Sequence, residues 1–79
     1  QAPIHILIIP RKSITSLKEI DIDDQLLLGH LLLIAKEIAE KESLQSWRTV
    51  INTGIEAGQT VLHLHLHLLA GRKMSWPPG

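Results

Sequence analysis

Residues 63–69 read His-Leu-His-Leu-His-Leu-Leu, placing three imidazoles at a period of two in a chain with five histidines. On an extended backbone that spacing sends His63, His65 and His67 to one face and Leu64, Leu66 and Leu68 to the other. One account is a half-exposed strand whose outer positions happen to be histidine. A second is zinc, since two imidazoles at i and i+2 can share one ion. His63 and His67 would lie about 13 Å apart, however, which strains convergence of all three on a single metal. Two of them plus a distant ligand would serve, but there is no cysteine, and no carboxylate stands on or beside the segment. The third account is nucleophilic catalysis, and it uses the spread well. A neutral central imidazole attacks phosphorus while flanking imidazoles and amides stabilise charge on the phosphoryl oxygens. With an ordinary pKa of about 6.5, such a nucleophile is available near neutral pH.

The histidines need a strand, and residues 60–70 form the most regular candidate in the chain. A second strand is expected over residues 4–9, apolar, rich in β-branched side chains and closed by Pro10. A third is expected over 47–52. Ser16 with Glu19 three residues on has capping-box spacing and predicts a short helical turn over 17–20. Asp21, Asp23 and Asp24 early and Lys36 and Lys41 late match the dipole of a helix running from Asp23 to Glu42. Its first half is apolar on nearly every side, with Leu26, Leu27, Leu28, Leu31, Leu32, Leu33 and Ile34 around Gly29 and His30. Such a helix has to be covered on more than one side, here by the sheet and by the same helix of a second subunit. His30 itself reads as structural. Residues 53–59 form a loop turning at Gly54 and Gly58, and the tail from Gly71, with Trp76-Pro77-Pro78-Gly79, is expected to lie along a surface. The assembly these elements suggest is an α+β domain of antiparallel sheet and helix.

Composition narrows the class. Seventy-nine residues make one small domain, which buries a modest share of its surface alone and gains from dimerisation. With no Phe or Tyr, the core is Leu and Ile. Eight basic residues balance eight acidic ones, leaving no dense positive field for polynucleotide binding. The apolar window at 26–35 is about half the ~20 residues a membrane helix requires, so no membrane partner is expected. The absence of cysteine suits a reducing compartment, and the cytoplasm is the expected location. Gln1-Ala2-Pro3 has no signal-peptide character, and a chain opening on Gln1 reads as excised or processed.

The His-apolar-His-apolar-His-apolar-apolar run of residues 63–69 resembles the signature of the histidine triad (HIT) family. Further segments are similar to its nucleotide-binding hydrolase branch: Gln1-Ala2-Pro3-Ile4-His5 with Ile9-Pro10, Leu27-Leu28-Gly29-His30-Leu31, Gly58-Gln59-Thr60-Val61 and Trp76-Pro77-Pro78-Gly79. The resemblance implies an antiparallel sheet with one long helix and a short helical turn, in a single HIT domain spanning 1–79 that lacks the N-terminal part of the family fold. It implies hydrolysis of the P–N bond of purine nucleoside 5'-phosphoramidates, with neither metal nor other cofactor. His65 would become nucleotidylated, releasing the amine, before water cleaves the adduct. His63 and His67 would orient the nucleophile and meet the phosphate, with His5 supporting them by hydrogen bonds. Thr60 stands where the branch commonly has Ser, and its hydroxyl would serve the leaving group. Asn52, Gly58, Gln59 and Thr60 would join His65 and His67 around the nucleotide, and Trp76 would shape the leaving-group pocket of a partner subunit. A homodimer through the 23–42 helix and the tail follows from the same resemblance. A nucleotide-binding scaffold with little catalysis, and a dinucleoside polyphosphate hydrolase, are the alternatives.

Overall fold

In the computed structural model, which describes residues 2–78, the period-two segments pair as strands. β1 spans Ile4–Ile8, β2 Arg48–Val50 and β3 Leu66–Ala70. β3 lies in the centre, antiparallel to both neighbours, with Ile6 opposite Leu68 on one side and Thr49 opposite Leu68 on the other. Its alternation is complete: Leu66, Leu68 and Ala70 are buried, whereas His67 and Leu69 are half-buried. Leu64, Leu66 and Leu68 are the largest fully buried side chains in the protein.

The helix α1, Gln25–Lys41, closes the inner face of the sheet. Leu31, Ala35 and Ala39 form its buried row at i, i+4 and i+8. Together with Ile8, Ile14 and the three strand leucines, Leu31 and Ala35 make the core, against which Ile6, Leu27, Leu28, Ile34 and Ile38 pack. The expected start at Asp23 is displaced because residues 22–24 wind as a 3₁₀ turn instead. Asp21 Oδ1 accepts from Asp23 N at 2.9 Å, and Asp24 Oδ2 accepts from Asp21 N at 3.1 Å, a reciprocal capping box. At the far end Leu44 N donates to Ala39 O at 2.8 Å around Ser43, which takes the left-handed conformation at φ 57. Serine there, in place of the usual glycine, hides the helix stop from sequence.

The remaining differences from expectation lie at strand ends. β2 is shorter than residues 47–52 because only three of its residues find partners on β3. The strand expected over 60–70 is confined to its last five residues. β1 ends opposite Leu66 and β2 ends opposite His67, so among the described residues no strand pairs with the chain before Leu66. Residues 61–63 bend, and Leu64 N donates instead to Ile14 O at 2.7 Å. Burial nevertheless alternates back to His63. The expected turn at 17–20 is a 3₁₀ turn, Leu17–Glu19, with Ser16 Oγ accepting from Lys18 N. Between Gly54 (φ 89) and Gly58 (φ 99) runs another, Ile55–Ala57. Gly71 turns the chain out of β3 at φ 99, where a Cβ would meet Pro3 Cβ at 3.0 Å. The tail lies over the surface, tied by Arg48 Nη2 donating to Ser75 O at 2.9 Å. Gln1 and Gly79, the ends of two segments carrying the family resemblance, lie outside the described residues. Among the described residues no helix is long and apolar enough to cross a membrane.

Leu68→Ala should lower the free energy of unfolding by about 3 kcal/mol, the transfer and cavity terms of a fully buried leucine. Leu62→Ala, on an exposed side chain, should shift it by less than about 0.5 kcal/mol. Urea titration followed by far-UV circular dichroism distinguishes them, and equal losses would contradict this placement of the core.

Candidate active site

The outer face of the sheet collects what the inner face excludes. Register puts Leu7 and Val50 on either side of His67, and His5 beside Leu69. His5, Val50, Asn52, His67 and Leu69 line an open groove of about 180 Å³. Three histidine rings cluster along it: His5 and His67 at 5.0 Å between centroids, and His65 and His67 at 4.8 Å, edge to face. His63 lies half-buried at the end of the row, turned towards β1.

Hydrogen bonds fix the chemistry of the rings. A carbonyl can only accept, so His65 Nδ1, 2.7 Å from His63 O, carries the proton. That leaves the lone pair of neutral His65 on Nε2. By the same reasoning His63 Nε2 donates to Pro10 O at 3.2 Å. His5 Nε2 and His67 Nδ1 share one hydrogen bond of 2.8 Å. His67 Nε2 is buried and has no hydrogen-bond partner among the described residues, a cost normally avoided unless a bound group supplies the missing bond. Desolvation, followed by the nearby His65 and His5, holds the pKa of His67 below the usual imidazole value. His67 is therefore neutral around pH 7.

Of the residues singled out in the sequence, His5, His65, His67 and Asn52 come together here. Gly58 stands behind Asn52: a Cβ on it would lie 3.7 Å from the Asn52 side chain, and its φ of 99 already disfavours any other residue. Thr60 is exposed in the adjoining loop. The Gln59 side chain, by contrast, does not face the groove. It is 3% exposed, accepts from Gly54 N, and donates to Thr15 O and Val61 O, so its polar atoms are already used in bracing two loops. Trp76 is 83% exposed and lies apart from the histidines, lining a neighbouring groove with Arg48, Val50 and Asn52. His30 is exposed beside Arg11 and Lys12 rather than buried within its helix. Among the described residues no three His, Asp or Glu side chains are grouped to hold a metal ion.

Sequence reasoning missed the carbonyls of Pro10, Ile14 and His63, because a backbone acceptor leaves no trace in residue type. Val50 and Leu69, as groove walls, were accessible from the alternation of their strands, once its outer face was seen to carry a site.

The fold recurs in known proteins. The HIT domain matches residues 1–74. An uncharacterized HIT-like protein of Synechococcus elongatus is 59% identical over 80 residues, a match that takes in all of this chain and 70% of that protein. A HIT family hydrolase from Legionella pneumophila superposes with a TM-score of 0.96 at 48% identity, over all of this chain and 72% of its own. A histidine triad protein from Clostridium difficile does so with a TM-score of 0.88 at 36% identity, over 94% of this chain and 66% of its own. The match over nearly the whole sequence, and the same backbone beneath it, make this chain a member of the HIT domain family.

Proposed function

We propose that this chain carries the catalytic centre of a hydrolase acting on purine nucleoside 5'-phosphoramidates, with His65 as the covalent nucleophile. The observation that carries the reading is the hydrogen bond from His65 Nδ1 to His63 O, which presents the Nε2 lone pair within a cluster of imidazoles. The name of the Legionella pneumophila relative, a HIT family hydrolase, supports the reaction class. In the first step Nε2 attacks phosphorus, a P–N bond forms to His65, and the P–N bond to the amine breaks. The departing nitrogen takes a proton, for which the family resemblance designates the Thr60 hydroxyl. In the second step water attacks phosphorus, the bond to Nε2 breaks, and a proton of the water replaces the one given up by Thr60. Nucleoside monophosphate and free amine are the products, with His65 restored. Charge gathering on the phosphoryl oxygens needs donors already in place. His67 Nε2 is an unsatisfied polar atom suited to that task when it bears the proton, with His5 then donating to Nδ1. Asn52 lines the same groove with Gly58 behind it, and the pair suits the nucleotide's phosphate and ribose. A reducing, cytoplasmic setting suits a chain without cysteine.

The protein acts as a homodimer in this proposal. Leu26, Leu32 and Leu33 surround Gly29 on the outer side of α1, and Leu26 is 88% exposed. Nothing within the described chain lies within 4 Å of a Cβ placed on Gly29, so another backbone can approach closely there. A second copy of the helix, with the Trp76 tail reaching the partner's groove, would cover this apolar surface. The same surface is the observation favouring a nucleotide-binding scaffold, in which assembly matters more than turnover.

Intact-mass spectrometry after acid-free quenching with an adenosine 5'-phosphoramidate should find one adenylyl group on the parent chain. His65→Ala should gain none and lose turnover by about 10³-fold or more; an adduct on that variant would overturn the assignment. Leu33→Glu should convert a dimer into a monomer in sedimentation equilibrium, and an unchanged association state would remove this face from the interface.

The His67 pKa also sets a pH dependence. Its folded value lies below its usual 6.5, so above 6.5 the contribution to stability is fully present. As pH falls through 6.5 the unfolded chain takes up the proton first, and stability declines. NMR titration should place the His67 midpoint below 6.5, and a midpoint above that value would contradict the buried, neutral ring.

A further inference from the structure

Segment 10–15 connects β1 to the turn at Ser16 without helix or strand, yet its carbonyls converge on the histidine run. Pro10 O accepts from His63 Nε2, Ile14 O from Leu64 N, and Thr15 O from Gln59 Nε2 at 2.7 Å. On its other side the segment is fastened by one ion pair. Lys12 Nζ donates to Asp24 Oδ1 at 2.6 Å, and Asp24 is only 4% exposed. The second oxygen of Asp24 accepts from Asp21 N in the capping box, so the carboxylate is held rigidly at the foot of α1. The hydrogen bond from Lys12, then that from Asp21, keeps the Asp24 carboxyl below the usual carboxylate range. Lys12 is thus tied to a fixed anion.

The link to His65 is a single peptide plane. The His63–Leu64 unit donates through Leu64 N to Ile14 O, and the carbonyl of that unit accepts from His65 Nδ1, both at 2.7 Å. Because the peptide is planar, fixing the direction of its N–H fixes that of its C=O. A donor in a chain of hydrogen bonds also polarises the next acceptor, which strengthens the bond to Nδ1. The position of Ile14 therefore governs the aim of the His65 ring.

We propose that Lys12 is a positioning residue: anchored on Asp24, it holds segment 10–15 in place, and through Ile14 and the 63–64 peptide it orients His65. This rests on reading His65 as the nucleophile. Lys12 touches neither the His5/His67 groove nor the reacting atoms. Its loss should act on kcat and leave KM nearly unchanged, because it disturbs the approach geometry rather than the binding surface.

The test compares Lys12→Met, Lys12→Arg and Lys18→Met in the full chain. Lys18 is exposed on the 3₁₀ turn Leu17–Glu19, away from the groove and from α1, and serves as the control for charge loss. In Lys12→Met, kcat for adenosine 5'-phosphoramidate should fall about tenfold with KM within about twofold. The imidazole ¹⁵N signals of His63 and His65 should shift as their hydrogen bonds loosen. Lys12→Arg should restore both readouts, and Lys18→Met should match the parent. Parental ring signals in a folded Lys12→Met variant, a change confined to KM, or no recovery with arginine would each overturn the proposal. If the parent itself fails to turn over the substrate, the functional reading falls, while the ring signals still judge the anchor. Should Lys12→Met not fold, Lys12→Gln, which keeps a neutral donor on a shorter stem, is held to the same criteria.

Discussion

The peptide between His63 and Leu64 is hydrogen-bonded at both ends, to Ile14 O through its N–H and to His65 Nδ1 through its carbonyl. The orientation of His65 on the outer face depends on that plane. It assigns the tautomer of His65, and with it which ring nitrogen can act as nucleophile. A neutral imidazole has one donor and one acceptor, and the two tautomers are close enough in energy that one good acceptor decides between them. Here the acceptor is backbone rather than a carboxylate, so no charge has to be buried beside the ring.

The early end of β3 follows from the same requirement. In the middle of a sheet every carbonyl is committed to a ladder, and His63 O would have none to spare for a side chain. Because β1 and β2 give out opposite Leu66 and His67, the chain before Leu66 leaves the ladder while keeping its alternation of burial. Leu64 still anchors the core, but the carbonyl on its N-terminal side turns to its neighbour's imidazole. Irregular backbone supplies the orienting acceptor, and regular backbone further along holds His67 against His5. The candidate site thus sits at the junction where a strand stops being a strand.

That junction marks the limit of what the sequence discloses. Period two at residues 63–69 revealed the shared face and the buried leucines, since both depend only on the direction of successive Cβ atoms. It could not reveal where pairing ends, which is set by where β1 and β2 stop, at Ile8 and Val50, in distant parts of the sequence. The helix was legible from its leucines and charge gradient, but its ends were not. Asp21 and Asp24 spend a turn in 3₁₀ geometry, and Ser43 adopts a conformation usually left to glycine. Gln59 sits in a segment that resembles a nucleotide-binding motif, whereas its amide is consumed in holding loops together. Residue identity tells what a group can bond, and only the fold tells what it does bond.

The two faces of α1 show how closely stability and assembly are joined in a chain this small. Leu31, Ala35 and Ala39 take the buried row, the two small alanine side chains letting the helix lie close to the sheet, while Leu26, Leu32 and Leu33 are exposed. In a monomer that distribution is unfavourable: the large apolar groups that would contribute most by burial are the ones facing water. In the proposed dimer a second copy opposed at Gly29 would reverse it, each exposed leucine then contributing on the order of 1.5–3 kcal/mol. The histidine groove lies across the sheet from this helix, and Trp76 stands outside it on the same molecule. Two copies joined by their helices could bring the tail of each towards the open side of the other's groove, so that one contact would serve both the marginal core and an unfinished site.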